Sequence, residues 1–288
     1  MRILVLGASG MLGHSIIRVF NEIETLEVFG TVRSEKIKKY FPSSIASRLI
    51  VNHDVTIDTN LVKILRRVNP QVVINCVSLS KQLLRSADPL LMIPLCALLP
   101  HRLSRFCKDI DARLINISSD AVFSGEKGGY TEQDPSDTND IYGNSKFLGE
   151  THEEHTLTIR TSIIGHELQS NNGLVEWFLL QKKQCECFSN AIFSGFPTVV
   201  LAQIIRDVII PRPDLYGVYH IAAQPISKCA LLRLIAKVYG ISIDFISNDK
   251  LHIDRSLNSN LFEQETGFIP LNWEQLIKVM YSYNKLTK

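Results

Sequence analysis

Tyr142 and Lys146 are the first residues in the chain whose types and spacing together suggest a reaction. At i and i+4 on a helix, a phenol and an ammonium share a face and reach into one site. A free tyrosine titrates near about 10, and a neighbouring cation favours the phenolate, moving the group toward the range useful for general acid–base work. A hydroxyl suited to the same substrate oxygen stands 23 residues before Tyr142, in Ile117-Ser118-Ser119-Asp120 at the end of an apolar run. Ser119, Tyr142 and Lys146 are therefore the expected catalytic set. Tyr142 would exchange a proton with a carbonyl or alcohol oxygen, and Ser119 would hydrogen-bond that oxygen. The spacing alone is weak, since Tyr281 and Lys285 repeat it. That second pair has no Ser-bearing strand before it and reads as surface and core filling.

The hydride such chemistry requires has a candidate carrier site at the N-terminus. Gly7-Ala8-Ser9-Gly10-Met11-Leu12-Gly13 follows an apolar strand directly and opens an apolar helix. Small residues let backbone approach a pyrophosphate, and the helix N-terminus offers free N–H donors and a favourable dipole. Gly7, Ser9, Gly10, Met11, Leu12 and Gly13 are thus expected to bind a dinucleotide, the alternative being a tight strand-to-helix turn. Twenty residues after Gly13, where NAD-preferring sites place a carboxylate, stands Arg33. An arginine there pairs with a 2′-phosphate, so Arg33 and Ser34 favour NADP(H) without excluding NAD(H). His53-Asp54-Val55 and Asn75-Cys76-Val77 fall at carboxyl ends of strands, where ligands of doubly wound sheets bind. Asp54 would accept from the adenine amino group, a turn-forming aspartate being the ordinary alternative. Tyr142 and Lys146 also belong to the cofactor side, Lys146 holding the nicotinamide ribose.

These residues need strands and helices to position them. Apolar runs at Arg2–Leu6, Leu26–Val32, Arg48–Val51, Gln71–Cys76, Ala112–Ile117 and Thr156–Arg160 alternate with helical spacing at Met11–Phe20 and Leu61–Val68. That is the pattern of βαβ units, and it predicts an α/β, Rossmann-type doubly wound parallel sheet. Asp88-Pro89 reads as an N-cap with a first-turn proline, and Pro94 and Pro100 are expected to kink or interrupt the helix that follows. Beyond Thr161 the alternation fades into helix-like segments at Leu174–Lys183, Val199–Ile210, Lys228–Tyr239 and Trp273–Tyr283. The expected division is a cofactor domain over residues 1–165, carrying the catalytic set, and a smaller, interleaved substrate lobe over 166–288. Residues about 195–225 are expected to return to the sheet.

Bulk properties narrow the class. With 288 residues, 45% apolar and 21% charged, the chain has an ordinary globular composition. A net charge of +2 gives no strong basic field, so nucleic acid is not an expected partner. Lys36 to Lys39 reads as a solvated helix start. The N-terminal apolar run is too short for a secretory leader, and Leu90–Pro100 is shorter than a bilayer span, so a cytoplasmic protein without a membrane segment is expected. The six cysteines are read as reduced thiols. Cys185-Glu186-Cys187 lacks a second ligand pair at structural-zinc spacing, and no metal is expected.

Taken together, the motifs resemble those of the extended short-chain dehydrogenases/reductases, and within them the dTDP-4-dehydrorhamnose reductase branch. The likeness rests on the glycine loop; Ser118-Ser119-Asp120-x-Val122-Phe123-x-Gly125; Gly129-Tyr130-x-Glu132-x-Asp134; Tyr142-Gly143-x-Ser145-Lys146-x-x-Gly149-Glu150; Arg160-Thr161-Ser162; Gly195-x-Pro197-Thr198; and Gly217-x-Tyr219-His220. It implies reduction of a 4-keto group on a nucleotide-activated deoxysugar held by the C-terminal lobe; separately, a homodimer is the common default for soluble enzymes. Ser78, Ser119, Asp120 and Arg255 are the expected substrate contacts. Arg255, in Arg255-Ser256-Leu257-Asn258-Ser259, resembles the family's diphosphate-side arginine, a surface ion pair being the alternative. The chain departs from the family in four places. Ser119 replaces a more usual Thr, and Leu83-Leu84-Arg85-Ser86 replaces a charged segment. Cys96 stands at the helix asparagine, and Ile163-Ile164-Gly165-His166 replaces aromatic residues. Two competing readings share the fold. The first is a sugar-nucleotide dehydratase or epimerase; the dehydratases carry Thr-Asp-Glu where Ser119-Asp120-Ala121 stands. A cofactor-binding regulator, like the regulatory subunit of methionine adenosyltransferase, need not react at all.

Overall fold

The computed structural model describes residues 1–51, 54–79 and 88–287, so His53 and the Leu83–Ser86 segment lie outside the described residues. The first strand, β1 (Arg2–Leu6), is apolar from Ile3 onward because helices cover both faces of the sheet it joins. Its side chains alternate: Ile3 and Val5 enter one core cluster, Leu4 and Leu6 the other. The chain continues through α1 (Met11–Phe20), β2 (Glu27–Val32), β3 (Leu49–Val51), α2 (Asp58–Val68), β4 (Val72–Asn75), α3 (Pro89–Asp109) and β5 (Arg113–Ile117). Then come α4 (Ile141–Leu148), β6 (Thr156–Arg160), α5 (Thr198–Ile204), β7 (Gly217–His220), α6 (Lys228–Tyr239) and α7 (Trp273–Thr287).

The seven strands pair in parallel in the order β7-β6-β5-β4-β1-β2-β3. Strand order reverses between β1 and β4, which opens a crevice at their carboxyl ends. This is the Rossmann-type sheet that the alternating pattern predicts. The seventh strand comes from residues 217–220, and α5 packs on α1, so late segments complete the early half. Among the described residues, the remaining strands form small separate sheets. Gln184–Phe188 pairs with Asp244–Asn248, and Ala191–Phe193 lies between Ile226–Ser227 and Ile253–Asp254.

Three expectations need correction. Pro94 and Pro100 do not interrupt α3. The helix continues through a π-helical stretch, Ile93–Leu98, in which the Leu99 N–H bonds the Pro94 carbonyl, a wider turn that absorbs the missing donors. At 21 residues, α3 is also long and apolar enough by composition to cross a bilayer, contrary to the limit drawn from Leu90–Pro100. In the fold it is a core helix, with Met92, Cys96, Leu99, Leu103 and Cys107 buried and Leu90, Ile93 and Leu98 exposed. Finally, the cysteines are not all free, because Cys187 and Cys229 form a disulfide between positions 42 residues apart. Cys76, Cys96, Cys107 and Cys185 are free.

Candidate active site

The glycine turn is built for close approach. Gly7 adopts a left-handed φ of +78°, and a β-carbon on Gly13 would stand 2.2 Å from the Gly7 carbonyl oxygen. The Gly7 and Ala8 N–H groups bond the Thr31 hydroxyl and carbonyl, fixing the turn to β2. Gly10 caps α1 with no side-chain acceptor, and the first turn holds no acid. The helix therefore opens with unclaimed N–H donors and an uncompensated positive end. Ser9 and Met11 are half-buried and Gly10 is exposed, whereas the Leu12 side chain enters the core, leaving only its backbone for a ligand. These features fit the pyrophosphate of a dinucleotide.

Beyond β2, Arg33 is exposed and Ser34 is half-buried, its hydroxyl accepting from the Lys36 N–H at 3.3 Å. The Lys-rich stretch forms a short 3₁₀ segment, Glu35–Tyr40. Asp54 is exposed, with one oxygen taken by the Thr56 N–H and hydroxyl; those bonds hold its carboxyl below the ordinary range. Its position thus has the geometry of the turn-forming alternative, and its other oxygen makes none of these bonds. Val55 is buried in the α2–α3 core.

At the ends of β4 and β5 the side chains bond one another. Asn75 donates to the Asn116 side chain at 2.9 Å and accepts from the Val77 N–H, while Asn116 donates to the Gly149 carbonyl. This buried relay ties two strands to the end of α4. Asn75 is thus placed at the crevice with both ends of its amide engaged. Cys76 backs the glycine turn, since a β-carbon on Gly7 would lie 3.1 Å from its carbonyl, and burial pushes its thiol up to about 12. The Lys146 charge pulls that value down, which locates the lysine beside the strand-four end. Ser78 is exposed, 3.6 Å from the Cys96 sulfur, so Cys96 of the π-helical turn faces the loop that leaves β4.

The residues expected to be catalytic lie at the end of β5 and on α4. Asp140 caps α4 through the Gly143 N–H at 2.7 Å, and Gly143 lets the helix lie against the strand-five exit, where a β-carbon would fall 2.1 Å from the Ala121 carbonyl. Lys146 is buried and donates to the Ile117 carbonyl at 2.9 Å. Tyr142, one turn earlier, remains half-buried. Ser119 is 8% exposed; its hydroxyl accepts the Ala121 N–H and donates to Asp120, each at 3.1 Å. Desolvation raises the Asp120 carboxyl above the ordinary range, against the pull of Arg255, the Ser119 and Ser162 hydroxyls and Lys228.

Behind this set lies a buried ionic network that the motifs flagged without explaining. Arg160 makes two bonds to Glu150, at 2.8 and 2.7 Å, and Ser118 donates to the same carboxylate. Arg160 also donates to His220 Nε2, so His220 Nδ1 donates to the Tyr130 carbonyl and the ring is neutral, its pKa lowered by burial to about 3. Arg255, an expected substrate contact, donates from Nε to the Phe123 carbonyl at 2.8 Å. His166, one of the replacements for family aromatics, instead bonds Glu176 and Tyr239 at 2.5 and 2.8 Å. Lys228 beside Asp120 and His14 behind the glycine turn were missed from sequence. His14 bonds the Gly10 carbonyl and is held neutral by burial, near about 4. A histidine among the apolar residues that open α1 was the available signal for it. Among the described residues, no cluster of His, Cys, Asp and Glu is arranged to hold a metal.

Sheet order and glycine turn define a Rossmann-type α/β protein. A family model, the RmlD substrate binding domain, matches residues 1–284, and the chain belongs to that family. Spore coat polysaccharide biosynthesis protein SpsK of Bacillus subtilis (strain 168) is 29% identical over 59% of this chain and 64% of its own length. Methionine adenosyltransferase 2 subunit beta of Xenopus laevis is 24% identical over 76% of this chain and 66% of its own. The chain thus spans just under two thirds of these relatives. The crystal structure of dTDP-4-dehydrorhamnose reductase from Bacillus anthracis str. Ames in complex with NADP superposes with a TM-score of 0.79. It is 20% identical, over 98% of this chain and 99% of that one.

Proposed function

We propose that this protein is an NADP(H)-dependent reductase of a 4-keto group on a nucleotide-activated deoxysugar. The observation that carries the reading is the placement of Lys146. It is buried on the same helix as Tyr142, bonded to the carbonyl just before Ser118-Ser119, and beside the strand end that backs the glycine turn. Gly7 to Gly13 would hold the pyrophosphate, Arg33 and Ser34 the 2′-phosphate, and Asp54, Val55 and Asn75 to Val77 the remaining cofactor contacts; NAD(H) would bind less well. A nicotinamide bound there supplies the hydride. Tyr142 then gives its proton to the developing alkoxide, Lys146 stabilises the phenolate left behind, and Ser119 hydrogen-bonds the same oxygen. Ser78, Asp120 and Arg255 face the sugar nucleotide. Residues 1–165, with the returning strand near 217–220, form the cofactor domain, and the rest of 166–288 forms the substrate lobe.

The proposed assembly is a cytoplasmic homodimer. Exposed Leu90, Ile93 and Leu98 of α3 and Phe147 and Leu148 of α4 support an interface, because the two helices adjoin where Gly149 nests against the Cys96 carbonyl. Four of the six cysteines are free thiols, which supports the compartment, and the Cys187–Cys229 bond is the observation against it. The test is NADPH consumption with a panel of nucleotide 4-keto-6-deoxysugars. Turnover with one of them, abolished by Tyr142→Phe, is expected. Tight NADPH binding without turnover on any member would instead favour the regulatory reading, which the likeness to methionine adenosyltransferase 2 subunit beta and Cys96 at the helix-asparagine position support.

A further inference from the structure

The Ser119 hydroxyl has one proton to donate and two acceptor positions. In the structure one acceptor position takes the Ala121 N–H, and the proton goes to the Asp120 carboxylate. A hydroxyl so committed cannot also donate to a ketone oxygen. We infer that Asp120 is a positioning residue that takes up a proton when the nucleotide diphosphate binds, reversing the direction of the Ser119 hydroxyl. Resting on the reductase reading, this adds an ionisation step to it.

With Asp120 protonated, the count closes. Its O–H donates to Ser119 Oγ, the Ala121 N–H fills the other acceptor position, and the serine proton is left pointing at the substrate oxygen. The proton comes from solvent; no bond between heavy atoms changes. The trigger is charge. The cations facing the carboxyl are Arg255, from the segment after Ile253–Asp254, and Lys228, at the start of α6; the Ser119 and Ser162 hydroxyls face it as well. Arg255 spends Nε on the Phe123 carbonyl and acts on Asp120 through its charge. An arriving diphosphate would pair with that guanidinium and offset the charge that helps keep Asp120 ionised, while the sugar excludes water from a carboxyl already raised by desolvation. Binding of the remote phosphates would thereby arm the donor at the reacting carbonyl.

The test is calorimetric titration of the intact protein, loaded with NADP⁺, with dTDP-glucose and with UDP-glucose in buffers of differing ionisation enthalpy at pH 7. Uptake of about half a proton or more per site is expected for whichever diphosphate binds, and none in Asp120→Asn, whose amide donates to Ser119 at every pH. For turnover, Asp120→Asn should retain activity within about tenfold and lose the alkaline fall of kcat, whereas Asp120→Ala should lose about a hundredfold. Absence of proton uptake in the wild type, equal uptake in Asp120→Asn, or an Asn variant as inactive as the Ala variant overturns the inference. If no sugar is turned over, the reductase reading fails, while the calorimetry still decides whether Asp120 takes up a proton.

Discussion

The two walls proposed for the cleft are made differently. The one proposed for the cofactor consists largely of backbone at the ends of adjacent strands: the glycine turn on β1, bonded to β2, with the Asn75–Asn116 relay beside it. The one proposed for the substrate is assembled from side chains and loops remote in sequence. Arg255 reaches the Phe123 carbonyl across 132 positions, the Gly129 N–H meets the Ser256 hydroxyl across 127, and Tyr130 bridges to Leu257. A wall of backbone is set by local geometry and tolerates little change. One of converging side chains can be re-specified one residue at a time.

Substitutions can break or sharpen that contrast. The largest effect is expected at the joint of the two walls. Glu150→Ala leaves Arg160 buried without its carboxylate and should cost about 3–5 kcal/mol in denaturant unfolding, with both walls lost together. Next, Gly13→Ala forces a β-carbon into the Gly7 carbonyl and should cost about 2 kcal/mol or more, with NADPH binding weakened at least about tenfold by fluorescence titration. A crossed pair follows. Arg33→Ala should weaken NADPH about tenfold and leave NADH unchanged, while Arg255→Ala should raise KM for the sugar nucleotide about tenfold and leave NADPH affinity unchanged. If either variant moves both ligands equally, the walls are not independent. The smallest effect per step is with pH. His14 and His220 are held at about 4 and about 3, below the 6.5 of a free imidazole. Between those values the folded protein binds fewer protons than the unfolded chain, so stability should fall as pH drops below 6.5. The expected slope is about 1 kcal/mol per pH unit for each ring, and His220→Asn should flatten it.

The same contrast explains what the sequence made legible. β6 was bounded correctly at Thr156–Arg160, and the glycine turn was found, because both depend on neighbours in the chain. Ser119 at a strand end and Tyr142 and Lys146 one helical turn apart are likewise local features, and the structure places them on those elements; their catalytic role is the proposal. The Cys187–Cys229 bond joins strand and helix through tertiary packing and leaves no spacing signal. Pro94 and Pro100 obey their local chemistry, yet the chain answers with a π-helical turn in place of a break. Asn75 sits at a ligand-binding strand end, but whether its amide faces a cofactor or another amide depends on Asn116, 41 residues away.

The late arrival of β7 bears on how the molecule is made. During synthesis the first 165 residues emerge with the outer rim of β6 unpaired and Arg160 lacking His220, and only some fifty residues later does the strand that closes both leave the ribosome. The sheet is therefore complete only once sequence well beyond the glycine turn and β6 has been made.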